Sequence, residues 1–140
     1  MRPTVPGNPE GITSFADVAR PGLQLVVCAP QVPCGSAAEK IEQATGVTLN
    51  PVSEESDVKS TLGKVTTDNA DAGLVYVTDV HAAGDDVQGI EFPEAAQAAN
   101  DYPIAVIADA PGADLARGFQ ELGTGADGRA VLGSAGFGRP

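Results

Sequence analysis

The sequence predicts an α/β fold, an open and mostly parallel sheet flanked by helices. Two predicted strands, residues 23–28 and 72–77, each contain an apolar run that is continuous rather than alternating (Leu25, Val26 and Val27 in the first), which is typical of strands covered on both faces. Between and after these runs, apolar residues recur at helical spacing. Strands that alternate with helices in this way build parallel sheets.

The elements follow one another along the chain. The proline-rich residues 1–12 predict an extended lead-in and hinge segment, and a short helix follows over 14–19, capped by Thr13 or Ser14. Gly46 stands where a helix-ending glycine belongs, and Ser56 is the predicted cap of the next helix. The remaining predictions are helices over 34–45, 57–67, 114–122 and 126–135, a helical turn over 78–83, and strands over 47–52, 87–92 and 102–109.

The net charge of −11 excludes some classes of partner. A field of that sign repels nucleic acids and anionic membrane surfaces. It does not exclude a small anion, because neutral N–H and O–H dipoles can hold one at short range.

The chain shows neither an apolar run of about 18 residues nor an apolar stretch near its start. We therefore expect no membrane span and no signal peptide in this sequence. Either the chain is a processed or trimmed piece of an exported protein, or a protein translated as written stays in the cytoplasm.

Candidate ligand groups lie where predicted strands give way to helices, the position at which α/β sheets bind ligands. They fall in residues 32–36, in residues 53–58 and at Tyr76. Two helix starts and one phenol offer N–H and O–H donors without a cation, which suits an anion. Ordinary helix caps and a packed tyrosine are the alternative interpretation, and the carboxylates Glu54, Glu55 and Asp57 are best explained as capping groups.

Several motifs occur in an order that resembles the molybdate-binding proteins of ABC transporters, from about residue 6 to the end of the chain. They are Gly7-Asn8-Pro9-Glu10-Gly11-Ile12, Ser14-Phe15-Ala16-Asp17, Val32-Pro33-Cys34-Gly35, residues 55–58, Ala72-Gly73-Leu74-Val75-Tyr76, Tyr102-Pro103-Ile104-Ala105-Val106 and Ala135-Gly136-Phe137-Gly138.

The resemblance implies that an oxyanion, molybdate or tungstate, is bound between two lobes entirely by hydrogen bonds. It implies that Cys34 and Val58 donate backbone N–H groups and that Tyr76 donates its hydroxyl. The neighbouring Gly35, Ser36 and Asp57 are candidate supporting residues. It further implies an extracytoplasmic protein, a membrane permease as partner, no cofactor, and molybdenum only as bound molybdate.

The resemblance also predicts how the chain is divided. Residues 13–100 correspond to a second lobe of periplasmic-binding-protein type, and residues 101–140 to a strand and helices that return to the first lobe. The rest of that first lobe, with its serine ligands, has no counterpart in this sequence. We therefore expect the returning segment to lack its partner sheet. Self-association of the chain through this segment is one expected consequence.

Two cysteines and one histidine are the remaining candidates for chemistry. A thiolate on Cys34 would repel the bound anion, so a Cys28–Cys34 disulfide is predicted, with two buried thiols as the alternative. Thiol–disulfide oxidoreductase activity is disfavoured because there is no CxxC motif, and His81 has no assignable catalytic partner. We therefore predict a binding protein rather than an enzyme, the other alternative being a folded remnant or interaction module that binds no anion.

Overall fold

The computed structural model describes residues 2–139 and divides the chain into two compact units. Unit 1 is Met1–Ala99 and unit 2 is Asn100–Pro140. Unit 1 contains the sheet, and unit 2 contains two helices. The predicted lead-in segment is not separate from the sheet, because its backbone forms a strand of unit 1.

Unit 1 is a five-stranded sheet flanked by helices, as predicted. The strands, in spatial order β3-β2-β4-β1-β5, are β1 (Arg2–Thr4), β2 (Leu25–Cys28), β3 (Ser53–Glu55), β4 (Ala72–Gly73) and β5 (Gln88–Ile90). The α-helices are α1 (Pro33–Thr45), α2 (Val58–Thr66) and α3 (Val77–Ala83), and shorter 3₁₀ helices span Phe15–Ala19, Gly84–Asp86 and Pro93–Ala98.

The centre of the sheet is parallel, and one strand runs the other way. Strand β2 pairs in parallel with both β3 and β4, whereas β1 pairs antiparallel with β4 and with β5. The sequence predicted only an extended conformation for residues 2–4. Their strand depends on hydrogen bonds to segments distant in sequence, which a local pattern cannot show.

Burial on both faces of β2 confirms the interpretation of its continuous apolar run. All four of its residues are buried. Leu25 and Val27 join a core beneath α1, and Val26 joins a second core beneath α2 and α3. The first core also contains Ile12, Phe15, Val18, Leu23, Ala37, Ala38, Ile41, Leu49, Ala72, Leu74, Phe92 and Ala98, and the second contains Val65, Ala70, Val75, Val80 and Val87. The sheet is therefore the middle layer of three.

The predicted strand over residues 47–52 is wrong, because the strand lies over Ser53–Glu55. Proline at position 51 has no N–H for a strand ladder, and the N–H of Leu49 donates instead to the Glu42 carboxylate at 2.6 Å. Pairing with β2 starts only when the N–H of Val52 reaches the carbonyl of Leu25 at 2.8 Å. The predicted end of α1 is confirmed, since Gly46 has φ 70° and its N–H donates to Glu42 at 2.8 Å.

In unit 2, helices α4 (Ala113–Thr124) and α5 (Ala126–Ser134) agree with the predicted helices. The predicted strand over 102–109 is wrong, because those residues form no strand. A strand needs a neighbour for its backbone hydrogen bonds, and none pairs with these residues in the described part of the chain. The helical spacing of Leu115, Phe119 and Leu122 predicts a stripe that faces inward, but this prediction is wrong, since all three side chains are exposed. No helix between residues 2 and 139 has both the length and the apolar character needed to cross a membrane.

Asp17 fixes the turn that leads into the first 3₁₀ helix, and its charge makes that turn sensitive to pH. Its carboxylate accepts hydrogen bonds from the N–H groups of Thr13 and Ser14, at 2.8 and 2.7 Å, and from the Thr13 hydroxyl. These bonds, chiefly that from the Thr13 backbone, lower the pKa of Asp17 far below its usual value.

We expect an Asp17→Ala variant to lose about 1 kcal/mol of unfolding free energy at pH 7, the usual cost of removing a capping group. A lowered native pKa stabilises the fold above the unfolded-state pKa and ceases to do so as pH falls through the native pKa. The difference between wild type and variant should therefore shrink as pH falls below about 4. Urea denaturation at several pH values measures this difference in unfolding free energy. A difference that does not change with pH would contradict the assigned role of the Asp17 carboxylate.

Candidate anion-binding site

The candidate site lies at the edge of the sheet where β3, β2 and β4 end. These strands are neighbours and parallel, so their carboxyl ends meet at one edge. Cys28 at the end of β2 is paired with Glu55, and the N–H of Leu74 after β4 donates to the Val26 carbonyl at 3.2 Å. Since adjacent strands lie about 4.8 Å apart, the three strand exits lie within about 10 Å. Each exit leads into one helix: α2 from β3, α1 from β2 and α3 from β4.

The start of α1 is rich in hydrogen-bond donors and contains no acidic side chain. Its N-cap residue, Val32, makes no side-chain capping bond, and no acidic residue occupies the first turn. Pro33 has no N–H, and the N–H of Ser36 is bonded to the Val32 carbonyl at 3.0 Å. The N–H groups of Cys34 and Gly35 therefore stand at the positive end of the helix with no intrahelical acceptor. Ser36 can contribute only its hydroxyl.

Position 35 requires glycine because two backbone segments approach each other closely there. In the structure, a Cβ at Gly35 would overlap the carbonyl oxygen of Ala29 and lie 2.8 Å from that of Cys28. The first turn of α1 is thus packed directly on the end of β2, and glycine is required for that contact.

The start of α2 carries a carboxylate cap. Asp57, not Ser56 as predicted, is the N-cap, and its side chain accepts from the Ser60 N–H at 2.8 Å and from the Ser60 hydroxyl at 3.0 Å. The hydrogen bonds from Ser60, chiefly from its N–H and then from its hydroxyl, lower the pKa of Asp57. Val58, the first residue of α2, retains a backbone N–H that helix geometry leaves without an acceptor. Asp57 therefore orders the start of α2.

Tyr76 is the N-cap of α3 and is half-buried. The sequence predicted a strand through residue 77, but the strand ends at Gly73 and the helix begins at Val77. The chain turns because the Asp79 carboxylate accepts from the N–H of Tyr76 at 3.0 Å. Desolvation raises the pKa of Asp79, although the Tyr76 N–H and the positive charge of Lys59 act in the opposite direction.

Lys59 and Asp79 lie at this edge and were not among the predicted site residues. Lys59, exposed in the first turn of α2, is close enough to Asp79 to affect its pKa. Asp79 stands three residues after the helix cap, a capping-box spacing that could have been found in the sequence. Lys59 carried no such signal, since an exposed lysine in a helix is ordinarily a solvated residue.

The two cysteines are joined. A disulfide links Cys28, the last residue of β2, to Cys34 in the first turn of α1, with their Cα atoms 5.6 Å apart. The Cys28 sulfur also lies 3.6 Å from the hydroxyl of Thr61 on α2, and Thr61 is completely buried. The end of β2 is thereby fixed to both neighbouring helices.

The other candidates for a functional site find little support in the structure. Within residues 2–139, no cluster of three or more His, Cys, Asp and Glu side chains could hold a metal ion. His81 is exposed in the last turn of α3. An open depression of about 330 Å³ lies at the far end of α1, lined by Glu39, Glu42, Gln43, Gly46, Val47 and Thr48, and is therefore not at the carboxyl edge of the sheet.

The model of a protein family, described as bacterial extracellular solute-binding protein, matches residues 4–138. The chain belongs to this family. Its members bind solutes and are not enzymes. The thiol–disulfide oxidoreductase alternative has no support from the family.

Two mycobacterial relatives of this solute-binding family are named molybdate-binding protein ModA, one from Mycobacterium bovis and one from Mycobacterium tuberculosis. Each is 53% identical over 134 residues, which is 96% of this chain and 51% of the relative. The chain thus spans about half the length of these relatives. A solved substrate-binding domain, assigned to a molybdenum ABC transporter of Clostridium difficile, has the same fold at a TM-score of 0.71 and 21% identity, covering 99% of this chain and 63% of that one.

Proposed function

We propose that the chain captures molybdate or tungstate through neutral hydrogen-bond donors at the carboxyl edge of its sheet. The donors are the backbone N–H groups of Cys34 and Val58 and the hydroxyl of Tyr76. Gly35 and Ser36 support the donor at Cys34, and Asp57 orders the start of α2, where the donor at Val58 lies.

The observation that carries the proposal is the start of α1. It has two adjacent N–H groups without an intrahelical acceptor, has no side-chain cap and no acidic residue in its first turn, and lies at the sheet edge. A helix start of this kind binds a tetrahedral oxyanion because N–H groups and the helix dipole both favour negative charge. The 53% identity to proteins named for molybdate binding supports the choice of anion.

Neutral donors reconcile anion capture with an acidic protein. The net charge of −11 offers no long-range attraction, so affinity has to come from short hydrogen bonds at fixed positions. A fixed donor set also separates similar anions. Sulfate has the charge and shape of molybdate but shorter bonds, so it cannot reach donors spaced for the larger ion.

The proposal extends to partners. By similarity to the molybdate-binding relatives, the protein acts outside the cytoplasm and delivers its anion to an ABC-transporter permease. Unit 2 carries a surface suited to protein contact, since its exposed large apolar side chains include Ile107, Leu115, Phe119 and Val131. Self-association through this surface is part of the proposal, and sedimentation velocity on the purified chain tests it.

A thermal unfolding scan with molybdate, tungstate, sulfate and phosphate tests the central claim. At about 100 times its dissociation constant, a ligand adds about 2.7 kcal/mol to the unfolding free energy, which raises Tm by several degrees. We expect this shift with molybdate and tungstate and not with sulfate or phosphate. Cooperative unfolding that no oxyanion shifts would refute the proposal for this chain.

The matched pair Tyr76→Phe and Tyr102→Phe tests the assignment of donors. Loss of a hydrogen bond to a charged ligand costs about 1.5–3 kcal/mol, so Tyr76→Phe should weaken molybdate binding more than tenfold. Tyr102, which lies in unit 2 and is 70% exposed, should be replaceable without effect on affinity. Equal affinities for the two variants, measured by calorimetry, would remove Tyr76 from the site.

A further inference from the structure

The disulfide joins the two structural parts that meet at the proposed anion site. Cys28 ends β2 and is 2% exposed, and Cys34 is the second residue of α1 and is half-buried. The bond closes the loop of residues 29–33, through which the chain passes from strand to helix. One of the bonded residues, Cys34, is also a proposed N–H donor.

Besides the disulfide, backbone contacts hold the start of α1. It lacks a side-chain cap. The loop before it is held by the Val32 N–H, which donates to the Ala29 carbonyl at 3.1 Å, and by the Ala29 N–H, which donates to Glu55 at 2.8 Å. Together with these bonds and the contact of Gly35 with Ala29, the disulfide fixes the Cys34 backbone relative to the sheet edge.

Reduction would change charge as well as position. A dithiol delivers two electrons and two protons, the Cys28–Cys34 bond breaks, two thiols form, and the dithiol becomes a cyclic disulfide. The Cys28 thiol is left in a buried site beside the Thr61 hydroxyl. The Cys34 thiol is left in the first turn of a helix, where the thiolate form of a cysteine is favoured. A thiolate there would compete with an oxyanion for the same positive helix end.

We propose that the Cys28–Cys34 disulfide is a positioning element of the anion site, and that its reduction weakens oxyanion binding by releasing the start of α1 and placing a thiolate in it. This inference rests on the proposed function. It adds a redox dependence to a site whose ligands are otherwise neutral and do not titrate near pH 7.

Calorimetric titration of the whole chain with molybdate tests the inference. Four samples are compared: the oxidised chain, the chain reduced by a dithiol and then freed of it under argon, Cys34→Ser and Cys28→Ser. The oxidised chain should bind most tightly. Cys34→Ser loses only the tether and should be weaker, whereas the reduced chain and Cys28→Ser lose the tether and gain a thiolate, and should be weaker than the oxidised chain by roughly tenfold or more, a loss of about 1.4 kcal/mol.

A second readout reports on the site itself. In Cys28→Ser, molybdate should slow alkylation of Cys34 by iodoacetamide and sulfate should not, because a bound anion covers the thiol. A purely structural disulfide would change stability without this protection. Circular dichroism shows in each case that the variant is folded.

The outcomes separate the two claims. If the oxidised chain shows no heat with molybdate, the proposed function fails and this inference fails with it. If the oxidised chain binds and the reduced chain and both variants bind equally well, only this inference is overturned. If Cys34→Ser and Cys28→Ser bind molybdate equally weakly and molybdate does not protect Cys34 from alkylation, the claim about the thiolate is overturned. The claim that the disulfide positions the start of α1 then remains.

Discussion

Replacement of Phe15 by alanine is expected to lower the unfolding free energy of unit 1 by about 3–5 kcal/mol, the usual cost of truncating a buried phenylalanine. Phe15 is 1% exposed, and its ring centre lies 5.4 Å from that of Phe92. The side chain fills the core beneath α1, where Ile12 and Val18 also lie. Because a domain is typically stable by only about 5–15 kcal/mol, this one change removes a large share of the total.

Urea denaturation followed by circular dichroism measures the effect. Phe119→Ala is the matched control, since Phe119 lies in unit 2 and is 67% exposed. Its truncation should change stability by no more than about 0.5 kcal/mol. Similar losses in the two variants would mean that the core beneath α1 is not packed as described.

Replacement of Gly35 by alanine is expected to damage both stability and binding. The added methyl would overlap the Ala29 carbonyl oxygen, and this obstacle is backbone, which cannot rotate away. We expect a loss of up to about 3 kcal/mol, the upper end of the usual cost of overpacking. To relieve the overlap, the start of α1 has to move away from the end of β2, so molybdate affinity should also fall, by roughly tenfold or more.

Gly63→Ala is the control for this prediction. Gly63 lies within α2, and a Cβ there would meet no atom within 4 Å. Alanine inside a helix is favoured over glycine, so this variant should gain about 0.5–1 kcal/mol and bind molybdate normally. Denaturation and calorimetry on both variants decide the matter, and a Gly35→Ala protein as stable as Gly63→Ala would disprove the close contact.

The sequence alone determined those features that depend on short stretches of chain. The continuous apolar run of Leu25, Val26 and Val27 predicted a strand covered on both faces, and every residue of β2 is buried. Helical spacing located α1 and α2 to within a few residues, and Gly46 ends α1 as a left-handed glycine. These features could be predicted because their periodicity and capping chemistry are local.

The tertiary structure decided what depends on distant partners. Residues 2–4 became a strand because β4 and β5 pair with them, and residues 102–109 did not, because nothing in the described chain offers them an edge. The same holds for the site. The sequence supplied the helix starts that carry Cys34, Val58 and Tyr76, but parallel pairing of three strands brings those starts to one edge. The role of Gly35 was also decided by the tertiary structure, because its neighbour is the backbone carbonyl of Ala29. A contact between backbone atoms cannot be predicted from a local sequence pattern.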